Sequence, residues 1–349
     1  MMKIFKSKIN LTKTLVVGLL CLTSCTQESV IEKDIETSTA KEENTLQRAA
    51  NGNLNLVVRN NSSELLFYPF RNNTFYNNGG GVRVGHNWNF THYFPADWNG
   101  DGNTDLIVRT SNGDLLFYPF VNNTFYNNGG GIRVGHNWNF THYFAADFTG
   151  DGTPDLVVRK SNGDLLLYPF KNNTFYNNGG GVRVGHNWNF THYFPADWNG
   201  DGTADLVVRN ANGDLLLYPF RNNTFYNNGG GVRVGHNWNF THYFPADWDG
   251  NGTPDLVVRK SNGDLLLYPF RNNTFYNNGG GVRVGHNWNF TDYFPADWNR
   301  DGTADLVVRK SNGDLLFYPF RNNTFYNNGG GVRVGHNWNF THYFTVETR

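Results

Sequence analysis

From Asn55 onward the chain sets short apolar runs between polar, glycine-rich stretches, and the whole pattern recurs every fifty residues. The segment GVRVGHNWNF opens at Gly81, with Ile132 for valine at Gly131, and again at Gly181, Gly231, Gly281 and Gly331. A period held that strictly, with no insertion, marks one supersecondary unit repeated along or around an axis. In the second copy, 105–109 and 114–120 are rich in β-branched, leucine and aromatic residues, and Asn112-Gly113 between them predicts a hairpin. Residues 132–134 predict a third strand and 141–147 a fourth. The intervening NNTFYNNGGG carries three glycines and is expected to hold no regular structure. Consecutive apolar positions such as Leu156-Val157-Val158 suit strands covered on both faces.

Four short strands in fifty residues, with no helical period in the array, describe a propeller blade. Proline has no N–H to donate and is confined to sheet edges, so Pro95, Pro195, Pro245 and Pro295 place the HYFPAD strand innermost. DLVVR, DLLLYPF and VRVG then follow outward. The array begins with a second strand, Asn55-Leu-Val-Val-Arg59, and finishes with a first strand over 341–346. Joining these two fragments predicts an all-β, six-bladed β-propeller of four-stranded blades, five continuous and one built from both ends of the array. A linear solenoid is the competing architecture, but such arrays carry atypical caps rather than complementary fragments.

The first fifty residues are different material. Lys3, Lys6, Lys8 and Lys13 precede an apolar run over 15–22, which predicts a signal peptide over 1–24. Leu22-Thr23-Ser24-Cys25 resembles the bacterial lipoprotein cleavage box, which implies lipidation of Cys25; an ordinary cleaved signal is the alternative. Residues 25–51 are poor in large apolar side chains and read as a flexible tether, leaving 52–349 as the propeller. The expected location is the outer membrane or cell surface, with the lipid as the membrane contact. Cys21, the other cysteine, lies within the signal, so the mature chain makes no internal disulfide. Zero formal charge argues against a nucleic-acid partner.

Candidate chemistry sits between the first and second strands. Asp97-Trp-Asn-Gly-Asp-Gly-Asn-Thr-Asp105 has oxygen side chains at positions one, three, five and nine and glycine at six, as at the front of a calcium loop. Position twelve is Val108 and a strand follows, so the segment is no EF-hand. It resembles the loop of FG-GAP or VCBS repeats, the integrin-α type of propeller. That resemblance implies up to five structural Ca2+ ions. The implied ligand sets are Asp97, Asn99, Asp101, Asp105; Asp147, Thr149, Asp151, Asp155; Asp197, Asn199, Asp201, Asp205; Asp247, Asp249, Asn251, Asp255; and Asp297, Asn299, Asp301, Asp305. Asn103, Thr153, Thr203, Thr253 and Thr303 would add their carbonyls. Each loop keeps three carboxylates even where Asn251 replaces the aspartate, because Asp249 appears two residues earlier. A turn held by Asx hydrogen bonds alone is the bland alternative. Arg300 replaces a glycine in the fifth loop, and the sixth, expected over 47–55, has lost its carboxylates.

Catalysis is not expected, because no residue type in the array is singular; Asp292, in place of a histidine, is the one departure. Glycan binding fits better, since sugars are held by an aromatic face and by amide, imidazole and guanidinium hydrogen bonds. The candidate positions are Tyr76, Asn77, Asn78, Arg83, His86, Asn87 and Trp88. Their repeats are Tyr126, Arg133, His136, Asn137, Trp138; Tyr176, Arg183, His186, Asn187, Trp188; Tyr226, Arg233, His236, Asn237, Trp238; Tyr276, Arg283, His286, Asn287, Trp288; and Tyr326, Arg333, His336, Asn337, Trp338. The segment is similar to the GGWNxF stretch of tachylectin-type propeller lectins, which implies N-acetylated sugars among the ligands. A wedge between blades is the alternative role for the tryptophans, and a scaffold for a protein partner is the alternative function.

Overall fold

The computed structural model describes residues 52–76, 80–126, 130–176, 180–226, 230–276, 280–326 and 330–349, with the backbone of 15–20 and 43–48. Cys25, Asn77, Asn78 and most of the expected signal and tether lie outside the described residues. Leu15–Leu20 and Glu43–Arg48 run antiparallel to each other, and Val17 registers with Ala196 on the inner strand of one blade.

A continuous blade runs His142–Ala146, Asp155–Arg159, Leu165–Tyr168 and Val182–Gly185 from the inside outward, every pair antiparallel. Four further blades repeat this order, beginning at His92, His192, His242 and Asp292. The sixth takes His342–Thr348 as its inner strand and Asn53–Arg59, Leu65–Arg71 and Val82–Gly85 as the rest. Asn53 registers with Thr348 and Arg59 with His342, so the two ends of the array pair as the sequence requires.

The core lies between blades. Leu156, Val158, Tyr168, Phe170 and Phe175 of one blade pack on Phe94, Ile107, Phe117 and Trp138 of its predecessor. Equivalent clusters fill the junctions that follow. Two more join the closing blade to its neighbours on either side, through Leu56, Val58 and Tyr68 and through Val57, Leu65 and Phe344. Alternate residues of one strand therefore serve two different cores, which is why Leu-Val-Val runs without a polar break. The six junctions close the ring.

One expectation fails locally. Phe120–Val121 and Thr124–Phe125 form a small hairpin inside the stretch expected to be irregular. Its turn, Asn122-Asn123, has φ of 53° and 59°, the type I′ geometry that asparagine accepts more readily than other side chains. The glycines come later, and Gly131 serves close approach: a Cβ there would lie 2.5 Å from the Tyr118 ring.

Candidate functional site

Each carboxylate loop is a tight turn closed by its own side chains. In the first, Asp97 Oδ2 accepts from the Gly102 N–H at 2.9 Å, and Asn99 Oδ1 accepts from Asp101 N–H at 2.8 Å. Asp101 Oδ1 accepts from Asn103 N–H at 2.8 Å, and Gly100 and Gly102 stand at φ of 75° and 88°. These are the Asx bonds of the bland alternative, and a cation loop needs the same turn.

The ninth position adds a buried carboxyl to every uncut loop. Asp105, Asp155, Asp205, Asp255 and Asp305 are fully buried. Each uses Oδ1 to accept the N–H of the phenylalanine that opens the small hairpin after the third strand, as Asp105 does from Phe120 at 2.8 Å. Burial pushes the carboxyls up, Asp155 to about 7 and the other four to about 8. In the closing blade the loop is cut by the ends of the array, and Asn55 occupies this position. Its Oδ1 accepts from Phe70 N–H at 3.3 Å, so a neutral amide makes one of the two bonds. In the five uncut loops Oδ2 also accepts the N–H of position three, as Asp105 does from Asn99 at 3.2 Å and Asp155 from Thr149 at 2.9 Å.

The remaining donors fit a hard cation. In the fourth loop one oxygen from each of Asp247, Asp249 and Asp255 lies within 4.8 Å of the others. Thr149 Oγ1, at position three of the second loop, is buried with no hydrogen-bond partner among the described residues. Four loops also meet a cation from the small hairpin of their own blade: Lys171 with Asp151 at 3.1 Å, Arg221 with Asp201 at 3.7 Å, Arg271 with Asp249 at 2.6 Å and Arg321 with Asp301 at 3.2 Å.

The sugar-binding candidates do not form one patch. Tyr76 donates its N–H to Pro69 at 2.7 Å, at the end of the blade that carries the carboxylate loops. Tyr76 is 63% exposed, and Tyr126, Tyr176, Tyr226, Tyr276 and Tyr326 are exposed by 57% to 65%. His86 and Asn87 lie at the opposite end, beyond an outer strand of four residues, or about 13 Å of chain, and Arg83 stands within that strand. The Arg83 side chain reaches the turn at that end and pairs with Glu64 at 3.1 Å, and Asn87 Nδ2 lies 3.2 Å from His86 Nδ1 with φ at 62°. The equivalents of all three are likewise exposed.

The tryptophans are a correction. Trp88, Trp138, Trp188, Trp238, Trp288 and Trp338 are 1% to 2% exposed and offer no face to a ligand. Trp138 packs on Tyr168 at 4.4 Å and Phe175 at 5.0 Å between ring centroids, in the wedge role. The indole lies so close to the chain that a Cβ at Gly135 would meet its Nε1 at 2.3 Å.

Sequence reasoning missed the arginine that ends every second strand. Arg109 donates from Nε to the Trp138 carbonyl, from Nη2 to Asn139 Oδ1 and from Nη1 to Thr91 Oγ1 at 2.9 Å. It thereby ties the chain entering its blade to the chain leaving it, as do Arg59, Arg159, Arg209, Arg259 and Arg309. A charged residue closing an otherwise apolar run in all six copies was the available signal.

Histidines 92, 142, 192 and 242 start four inner strands, each against the tyrosine of the next blade, as His92 against Tyr143 at 5.0 Å. Burial pushes each down to about 4, with the arginine that ends the paired strand adding to the effect. Where Asp292 replaces the histidine, it pairs with Arg309 at 3.1 Å.

The model of the FG-GAP-like repeat matches four overlapping stretches, 97–158, 147–208, 197–258 and 247–308. Each spans a carboxylate loop, its blade and the next loop. No curated protein matches the sequence. Among solved structures, the C-terminal WD40 domain of Sif2 is 12% identical over 87% of this chain and 84% of its own, with a TM-score of 0.33.

Proposed function

Since the chain belongs to the FG-GAP-like repeat family, we propose that it is a multivalent glycan-binding propeller with calcium in its carboxylate loops, exported and held at the cell surface by a lipid on Cys25. The observation that carries the sugar reading is the exposed tyrosine repeated in all six blades. An exposed aromatic face is what sugar C–H groups stack on, and the hairpin asparagines beside it supply amide donors and acceptors. Single sugar sites are weak, but six on one rigid ring gain through effective concentration. N-acetylated sugars are the first candidates. No residue type in the array is singular, so the reading is binding rather than catalysis.

The calcium reading rests on the three carboxylates that each loop gathers into one turn, with one oxygen from each of Asp247, Asp249 and Asp255 within 4.8 Å of the others. Three like charges so close repel one another, and a divalent cation is the partner that their oxygen donors suit. Bound calcium would compensate three carboxylates per loop and fix the turn; the chain supplies the ligands and the carbonyl at position seven.

A glycan array probed with calcium-loaded protein, then repeated in chelator, tests both. Binding that is lost when the six tyrosines become alanine supports the sugar reading. A blank array combined with a captured protein partner favours the scaffold, for which the exposed Val82, Ile132, Val182, Val232, Val282 and Val332 on the outer strands speak.

A further inference from the structure

The carboxylate loops on either side of the closing blade do something the others do not: they hold the two ends of the array. In the fifth loop Arg300 stands at φ of 63°. The other four loops have glycine there, Gly100, Gly150, Gly200 and Gly250, at φ of 72° to 75°. A left-handed backbone is strained for a side chain and free for glycine, so arginine at this one place calls for a compensating contact. It has one. The guanidinium donates from Nη2 to the Gly52 carbonyl and to Asn53 Oδ1, at the start of the N-terminal strand.

The first loop holds the other end. Thr104 N–H donates to the Glu347 carbonyl at 2.8 Å, Glu347 N–H donates to Thr104 Oγ1 at 2.8 Å, and Arg349 N–H donates to Asn103 Oδ1 at 2.9 Å. The first of these bonds recurs away from the seam, as Ala204 N–H to the Asp147 carbonyl at 2.7 Å and Ala304 N–H to the Asp247 carbonyl at 2.9 Å; the Thr104 hydroxyl and Arg349 contacts are added at the seam. Between the clasps, Asn55 Nδ2 donates to Thr348 Oγ1 at 3.0 Å and joins the two terminal strands directly.

We infer that the first and fifth loops are clasps for ring closure, Arg300 being the positioning residue of one, so that ordering these loops with calcium selectively tightens the seam. Elsewhere the chain is covalently continuous from blade to blade, and a loop can rearrange without parting two blades. At the seam no covalent link joins the two strands, so the loops add to a ladder held by strand pairing, by the Asn55–Thr348 bond and by the cores on either side. The metal arm rests on the calcium reading above; the Arg300 arm stands without it.

Hydrogen exchange of the full propeller, read peptide by peptide in chelator and in calcium, tests both arms. Arg300→Gly in chelator is expected to speed exchange over 53–59 and 342–348, leaving 192–196 and 205–209 unchanged; seam exchange equal to wild type overturns the arginine clasp. Calcium at ten times its Kd is expected to slow seam exchange about tenfold by lowering the open population. Asp101→Asn and Asp301→Asn should each reduce that protection, while Asp201→Asn, remote from the seam, should keep it. Calcium that binds by calorimetry but slows the seam no more than the third blade overturns the metal arm and spares the calcium reading. The absence of any calcium heat overturns both of those and leaves Arg300→Gly to decide the rest.

Discussion

Replacing Trp138 with alanine separates a wedge from a sugar platform. The ring is 2% exposed and packs on Phe140, Tyr168 and Phe175, so its loss leaves a cavity between two blades that strand pairing keeps from collapsing. Such a truncation costs about 3–5 kcal/mol. An unfolding entropy near 2.1 cal/mol/K per residue over about 300 residues gives roughly 0.6 kcal/mol/K, so Tm should fall by about 5–8 °C. Gly135→Ala attacks the same contact from the other side, its Cβ falling 2.3 Å from Trp138 Nε1, and should cost about 1–3 kcal/mol. Combined with Trp138→Ala the clash disappears, so the double variant should lose less than the sum of the singles. Tyr126→Ala removes a ring that is 57% exposed and should stay within about 0.5 kcal/mol of wild type. Thermal melting by circular dichroism at fixed calcium reads all four. If Trp138→Ala melts within a degree of wild type, or Tyr126→Ala melts as early as the tryptophan variant is expected to, the division into buried wedge and exposed platform is wrong.

Three other outcomes are expected. Without calcium the raised Asp205 carboxyl opposes folding increasingly as pH rises from its unfolded value toward about 8; Asp205→Asn should therefore stabilise the protein in chelator at pH 7, by about 1–4 kcal/mol, and reduce its gain in Tm on adding calcium. Histidines 92, 142, 192 and 242, held down near 4, stay neutral in the fold while the unfolded chain takes up protons; their contribution is intact above about 6.5 and lost as pH falls to 4, and replacing all four with glutamine should flatten Tm over that window in calcium-free buffer. Deleting 342–349 removes Tyr343, Phe344 and Val346 from the seam, each worth about 1.5–3 kcal/mol of burial; the sum approaches the stability of a whole domain, so the truncated chain should be expanded in small-angle scattering, and an unchanged radius would contradict closure by this strand.

The blade was legible because its period and its apolar runs are backbone facts: Leu156-Val157-Val158 must be covered on both faces, and Pro95 must stand at an edge. Closure was legible because the array starts and stops within one blade. The side-chain directions were not. Nothing in GHNWNF says that the indole of Trp88 turns inward across Gly85 while His86 and Asn87 face outward. That depends on the depth of the groove offered by Tyr118 and Phe125 of the next blade. The same limit split the sugar candidates, since Tyr76 and His86 are ten residues apart in sequence but at opposite ends of a strand. The Asn72-Asn73 turn was readable in principle, with Phe70 and Phe75 framing it, and was hidden by the glycines that follow.

Every junction around the ring sets one face of a blade against the opposite face of the next with nearly the same side chains, so a fifty-residue unit added or removed would leave no exposed apolar wall and no mismatched partner. Recognition between neighbours therefore cannot count them. The total is fixed by the angle at which one sheet leans on the next, a matter of curvature, and altering the bulk of the wedge indole is the way to ask whether five or seven sectors could share the circle.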